Sequence, residues 1–355
     1  MIMKRRVTID DVARAAGVSR QTVSRAINDK GEISPATRGR VMEAVQALDY
    51  RPSGVARGLA TQRTRTIGLV VPDITNPFFP EVARGVQDVA RRDDYSVFLC
   101  NTDESPDEEL QLLQSLAAQP VDGIILFGSR ISDDDLVAFA DHYRPLVVLN
   151  RFLEHPSISL ILVDNRRGAK LAVDYLADQG HTAIGMLAGP VTSPSSAQRV
   201  EGFRQAMAAR GLPDPDAFIL PGHPTMEGGY KAAHRLLTKY PQVTALFAYN
   251  DLSALGAVQA CYDLGRPVPA HCAVIGFDDI RLAAMVNPSL TSVRVDKYYL
   301  GQQGMTRLLA MLDKPDATFP PIQVDVELVM RESTQLSETA EIKIGSPSSL
   351  ARSPG

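Results

Sequence analysis

From Thr66 onward, short apolar runs alternate with amphipathic stretches, and this alternation narrows the fold more than any other feature of the chain. The runs are Ile67–Val71, Val97–Leu99, Ile124–Phe127, Leu146–Leu149, Leu160–Val163, Ile184–Leu187, Phe218–Leu220, Ala245–Ala248 and Ala273–Gly276, each of strand length. Between them, Val82/Val86/Val89, Leu110/Leu113/Leu116/Ala117 and Leu171/Tyr175 recur at helical spacing. Ser105-Pro-Asp-Glu108 and Ser132-Asp-Asp-Asp135 offer helix caps, and Gly180, Gly211 and Gly265 offer stops. Strands alternating with helices predict an α/β fold of parallel sheets covered on both faces. So many units crowd one open sheet, and two α/β lobes with a cleft between them are expected within the 355 residues.

The first 65 residues follow another pattern. Thr8 with Asp11 forms a capping box, Val12 and Ala16 share a face, and Gly17 stops a first short helix. Ser19 caps a second, in which Val23 and Ile27 point inward and Arg20, Gln21, Ser24 and Arg25 outward. Arg and Gln read guanine and adenine edges by paired hydrogen bonds. A helix-turn-helix presents the start of its second helix to the major groove in this way. Asp29-Lys-Gly31 is a turn, Ser34-Pro35 opens a third helix, and Val41, Ala44, Val45 and Leu48 close a three-helix core. Tyr50-Arg-Pro52 ends it. Ser53–Ala60 carries Val55 and Leu59 on one face, but Gly54 and Gly58 weaken it, so linker and marginal helix are equally good readings.

Charge is divided along the chain. Residues 1–65 hold 13 Lys/Arg against 6 Asp/Glu, and the remainder 24 against 35. A basic head on an acidic body directs phosphate to one end. Cys100, Cys261 and Cys272 have no metal spacing and read as reduced, buried residues. No metal or cofactor is expected. No apolar run approaches the roughly 20 residues of a membrane span, and no apolar segment follows the basic Met1–Arg6, so a cytoplasmic protein is expected.

The wording of Ile9-Asp-Asp-Val-Ala13, Ala16-Gly-Val-Ser19 and Thr22-Val-Ser-Arg-Ala-Ile-Asn28 resembles the LacI/GalR family of bacterial transcription regulators, with a close match over Thr8–Ala60. The resemblance implies an N-terminal helix-turn-helix DNA-binding domain over 1–52 and a hinge helix with linker over 53–65. It places Thr8, Ser19, Arg20, Gln21, Thr22, Ser24, Arg25 and Asn28 at DNA. It also implies Arg57 along the minor groove and Leu59 as a wedge between base steps.

Residues 66 to about 334 resemble the same family's two-lobed, periplasmic-binding-protein-like core, leaving 335–355 as a disordered tail. In that core the chain passes between lobes three times, here expected near Asp164-Asn165, Val286–Ser292 and Asp313–Pro321. An effector sits in the cleft, at the carboxyl ends of strands. Asp73, Asn76, Phe78 and Phe79 follow the first strand; Asn150 and Arg151 follow the Leu146–Leu149 strand, with Asn where the family often has an acid. Arg199, Asn250 and Asp278 match the family's effector-contacting positions. Each also has a local reading: Asp73 as a turn former, Phe78 and Phe79 as core, Asn250 and Asp251 as helix caps. The set suits a polyol. Two departures stand against a simple sugar: Gly222-His-Pro-Thr225 lacks an aromatic, and Val295 is apolar where relatives place a polar residue.

No strand is followed by G-x-G-x-x-G, and G-x-x-x-x-G-K-[ST], H-E-x-x-H and G-x-S-x-G are absent, so no enzyme is expected. A transport-associated sugar-binding protein shares the body but has no use for the basic head. The expectation is a homodimeric regulator, a repressor, on a pseudo-palindromic operator, responding to a small polar, sugar-like effector. An activator or a corepressor-dependent regulator is the alternative.

Overall fold

The computed structural model describes residues 7–27, 33–50, 63–143 and 145–335. Asn28, Arg57, Leu59, the expected hinge helix up to residue 62 and the tail from 336 lie outside the described residues.

Two compact units divide after Arg65. The first holds α1 (Ile9–Ala16), α2 (Arg20–Ile27) and α3 (Pro35–Ala47). The backbone N–H and Oγ1 of Thr8 donate to the Asp11 carboxylate at 2.9 and 2.7 Å, fixing the start of α1. Gly17 ends it at φ +65°, a conformation that costs glycine nothing. Ser19 Oγ accepts from Thr22 N at 3.1 Å and Ser34 Oγ from Thr37 N at 3.3 Å, which starts α2 and α3. Val12, Val23 and Val41, one from each helix, meet fully buried.

The second unit follows the predicted alternation. Its first lobe begins with β1 (Thr66–Val71), α4 (Phe78–Arg92), β2 (Ser96–Asn101), α5 (Pro106–Ala117), β3 (Gly123–Phe127), α6 (Asp133–His142), β4 (Leu146–Leu149) and β5 (Ile158–Val163). The second lobe takes α7 (Asn165–Asp178), β6 (Ile184–Ala188), α8 (Pro194–Ala209), β7 (Ile219–Pro221), α9 (Met226–Lys239), β8 (Ala245–Ala248), α10 (Asp251–Asp263), β9 (Ala273–Asp278) and β10 (Thr291–Val295). The chain then returns to the first lobe for α11 (Lys297–Asp313) and β11 (Ile322–Val324), and ends in the second with β12 (Val326–Val329). Strand order is β11-β5-β4-β3-β1-β2 in one sheet and β12-β10-β9-β8-β6-β7 in the other.

One strand departs from the parallel pattern, and one expectation needs correction. The second sheet is not wholly parallel, because β12 runs antiparallel to β10. It arrives from the other lobe one residue after β11, with no helix to turn it. Only the first crossing falls where the sequence placed it, at Asp164. The second is at Asp296 and the third at Asp325. Residues 286–292 stay in the second lobe, since Leu290 N bonds Ala283 O at 2.7 Å and Thr291 starts β10. Residues 313–321 stay in the first, tied by Arg307 Nη1 to Pro320 O at 2.9 Å and feeding β11 beside β5. Asp164 and Asp296 also cap the helices they enter, accepting from Arg167 N and Tyr299 N at 3.0 and 2.9 Å.

Within the first lobe, α4 and α11 touch backbone to backbone at Gly85 and Gly301. A Cβ on Gly85 would meet the Tyr298 carbonyl, and one on Gly301 the Val82 carbonyl. Gly301→Ala is therefore expected to destabilise the protein by about 1–3 kcal/mol, the usual range for overpacking. Urea denaturation checks this; an unchanged midpoint would show that the two helices separate freely.

Candidate functional site

In the head, Thr8, Ser19, Arg20, Gln21 and Arg25 are exposed, and Thr22 and Ser24 half-buried. The inward placement of Val23 and Ala26 forces this arrangement, since residues between them on α2 must face out. The outer face of α2 thus presents two guanidinium groups, Arg20 at its start and Arg25 in its last turn, and the amide of Gln21.

In the body, a narrow cleft lies between the lobes at the carboxyl ends of the strands. Asn76, Phe78 and Phe79 wall it from the first lobe. Asn76 Oδ1 accepts from Phe78 N at 3.0 Å, so one end of the amide shapes the entry to α4. Phe78 and Phe79 stand edge-on to Phe127, with centroids 5.4 and 5.2 Å away. They are both core and cleft wall. Asn150, at φ +58°, also lines the cleft and accepts from Asn165 Nδ2 at 2.8 Å.

From the second lobe come Arg199, Asn250 and Asp278. Arg199 lies on α8 and its guanidinium is stacked 3.5 Å from the Phe277 ring centroid and 4.7 Å from that of Tyr249. Its Nε donates to Asn165 Oδ1 at 3.0 Å and its Nη1 to the Tyr249 carbonyl. Burial holds its pKa below the usual arginine value. Asn250 caps α10 by accepting from Ser253 N at 2.8 Å, while its Nδ2 donates to Pro224 O at 2.9 Å. The local reading of Asn250 and its place in the cleft wall therefore hold together.

Asp278 ends β9 at φ +109° with its carboxylate 4.0 Å from Arg199 Nη2. Burial pushes its pKa up to about 7, against the pull of Arg199 and Lys297. Behind it, Asp251 accepts from Ile280 N at 2.7 Å and Ser292 Oγ at 2.5 Å. Burial, with Asp278 adding to it, raises the Asp251 pKa well above the carboxylate norm.

Two expected residues are placed elsewhere. Asp73 accepts from the backbone N and Oγ1 of Thr75 at 2.9 and 2.7 Å and forms a turn outside the cleft lining. Arg151 turns behind the strand ends, where its Nη1 donates to Ser129 Oγ and Ile131 O at 2.9 and 2.7 Å and its Nη2 pairs with Asp133. Without an acid at position 150, Asp133 supplies the carboxylate that holds this guanidinium.

Sequence reasoning missed Glu104, Arg130, Ser195 and Tyr249, all in the cleft wall. Arg130 follows β3, at the kind of strand end where such sites form, and its Nε donates to Glu104 Oε2 at 2.6 Å. Ser195 stands one helical turn before Arg199, and Tyr249 directly precedes Asn250, so spacing alone pointed to both. Ser193, Ser195 and Tyr249 hydroxyls bond one another at 3.0–3.1 Å.

Among the described residues no helix is long and apolar enough to cross a membrane, and no cluster of His, Cys, Asp or Glu could hold a metal.

Comparison with known proteins agrees with both units. Residues 8–53 match the model of bacterial regulatory proteins of the lacI family, and 64–330 match the periplasmic binding protein and sugar-binding domain of that family. Catabolite control protein A of Priestia megaterium is 36% identical over 330 residues, covering 93% of this chain and 99% of its own. The lac repressor dimer bound to operator and the anti-inducer ONPF aligns with a TM-score of 0.84 at 28% identity, over 94% of this chain and 100% of that one. A complex of the transcriptional regulator CelR with cellobiose aligns at 0.71 and 32% identity, over 92% and 100%. With a helix-turn-helix of this build in one unit and a two-lobed core in the other, the chain belongs to the LacI/GalR family of bacterial transcription regulators.

Proposed function

We propose that the protein is a homodimeric repressor whose operator affinity is set by a small polyhydroxylated effector in the interlobe cleft. The observation that carries this reading is the convergence of Asn76 and Asn150 from one lobe with Arg199, Asn250 and Asp278 from the other. Together they offer donors and acceptors from both sides of the cleft. The operator and cellobiose complexes of the relatives support the same pairing of ligands. Phe98 and Leu99 on β2, an edge strand, are 50% and 40% exposed and suit a second copy of the chain.

The mechanism is linkage. An effector touching both lobes favours one interlobe geometry, and a dimer transmits that preference to the hinge segments and the paired heads. Arg20 and Arg25 read base edges in this scheme. Arg20→Ala and Arg25→Ala should each cost about 1–3 kcal/mol of discrimination between operator and random DNA. Fluorescence anisotropy with both duplexes measures it; equal losses on the two would reassign these side chains to phosphate. Titrating the operator complex with neutral and acidic sugars tests the effector half of the proposal.

A further inference from the structure

Two guanidinium groups face the cleft from opposite lobes, and only one of them has a carboxylate in hydrogen-bond contact. Among the described residues, Arg130 and Glu104 face it from the first lobe, Arg199 and Asp278 from the second. Glu104 is taken up by Arg130 at 2.6 Å. Arg199, 4% exposed, bonds only neutral oxygens, and its nearest carboxylate is 4.0 Å away. Lys297 sits behind Asp278 with its Nζ on the carbonyls of Asp278, Asp279 and Val295, and its nearest carboxylate, Glu81, is also 4.0 Å away. Asp278 and, behind it, Asp251 answer Arg199 without a hydrogen bond to it, and burial favours the neutral form of both.

Geometry gives these two charges a direction. Arg130 lines the cleft and is anchored through Nε to Glu104 and through Nη1 to the Gly128 carbonyl, bonds in which Nη2 takes no part. Arg199 is likewise anchored through Nε and Nη1, and its Nη2 is the end nearest Asp278. Both guanidinium groups are thus rigidly held from behind. In each, Nη2 takes no part in those anchoring bonds, and the two residues come from opposite lobes. Two like charges brought together by lobe closure repel unless an anion lies between them.

Resting on the proposed effector cleft, we infer that the effector carries an anionic group, a carboxylate or a phosphate, which bridges Arg130 of the first lobe and Arg199 of the second. Arg130 is then the residue that separates acidic or phosphorylated polyols from neutral ones. Arg151, the guanidinium that the sequence suggested for this wall, is spent on Ser129, Ile131 and Asp133.

The test titrates the full-length protein with inorganic phosphate and separately with acetate, at ionic strength fixed with sodium chloride, following thermal unfolding. One of the two anions should raise the midpoint saturably, and which one does so separates a phosphate ester from a carboxylate. Arg130→Gln should weaken that anion at least tenfold, and Arg130→Lys should restore part of the loss. The basic head also attracts anions, but these substitutions leave it unchanged. The double variant Glu104→Gln/Arg130→Gln removes the pair together and serves if a lone Glu104 impairs folding. Flat titrations with both anions, or equal titrations in wild type and both Arg130→Gln variants, overturn the inference. A neutral sugar that binds wild type and not Arg199→Met would then leave the cleft reading standing. A sugar that binds both alike would remove that reading too.

Discussion

Between about pH 4 and pH 7 the protein is expected to lose stability at Asp278 as the pH rises, by up to about 4 kcal/mol for a pKa raised from 3.8 to about 7. The folded state holds the Asp278 proton where the unfolded state has released it. Stability from this group is therefore complete below pH 4 and is lost as the pH climbs through 7. The groups facing Asp278 set the size of the effect: Arg199 and Lys297 favour the carboxylate, while Asp251 and burial oppose it. Asp279 takes no part, being paired with Arg294 and Arg331 at 2.7 and 2.6 Å. Asp278→Asn keeps the shape and tolerates the positive φ, so it should remove this slope and raise stability at pH 7. Urea denaturation at several pH values measures the difference between wild type and variant. Parallel curves would show that Asp278 is ionised throughout.

Arg199→Met is expected to abolish the effector response while basal operator binding remains. The guanidinium bonds Asn165 and the Tyr249 carbonyl and stacks on the Tyr249 and Phe277 rings at the cleft wall. Its loss leaves Asn165 Oδ1 and the Tyr249 carbonyl short of a donor, at about 1–3 kcal/mol each. A ligand deprived of a charge-assisted contact at this depth should bind at least about a hundredfold more weakly, near 3 kcal/mol. The head lies in a separate unit, so operator affinity without effector should stay within about twofold of wild type. Operator titrations with effector on both proteins decide it. An unchanged response at unchanged concentration would place the effector outside this cleft.

Local chemistry made much of the fold legible. Gly17, Ser34-Pro35 and Ser105-Pro106 mark helix ends because their backbone and cap preferences act within a few residues. The buried strands β3, β4 and β8 read as short apolar runs for the same reason. β10 was not read, since Ser292 and Arg294 interrupt its pattern, and β11 and β12 are too short to show a period. The crossings at Asp296 and Asp325 depend on which sheet accepts each strand, and β11 finds its partner β5 some 160 positions back. Nothing near Ile322 in the sequence announces that pairing.

The cleft was legible in position more than in membership. Asn250 and Asp278 stand at strand ends, Asn76 in the loop just before a helix and Arg199 in the second turn of one, where spacing and resemblance both point. Arg151 and Arg130 exchanged places because side-chain direction was decided by partners distant in sequence. The left-handed turn at Asn150 and the carboxylate of Asp133 claimed one guanidinium, and Glu104 aimed the other.

The threefold passage of the chain between lobes has a consequence for synthesis. A nascent chain released up to Pro321 has neither sheet complete: β5 lacks β11 at its edge, and β10 lacks β12. The strands that close both edges, Ile322–Val324 and Val326–Val329, leave the ribosome almost together. Neither lobe can mature before the other, so the two finish folding as one late event, with exposed strand edges until then. A chain halted short of Ile322 would be expected to aggregate rather than bind. Only the finished polypeptide would carry a cleft able to answer an effector.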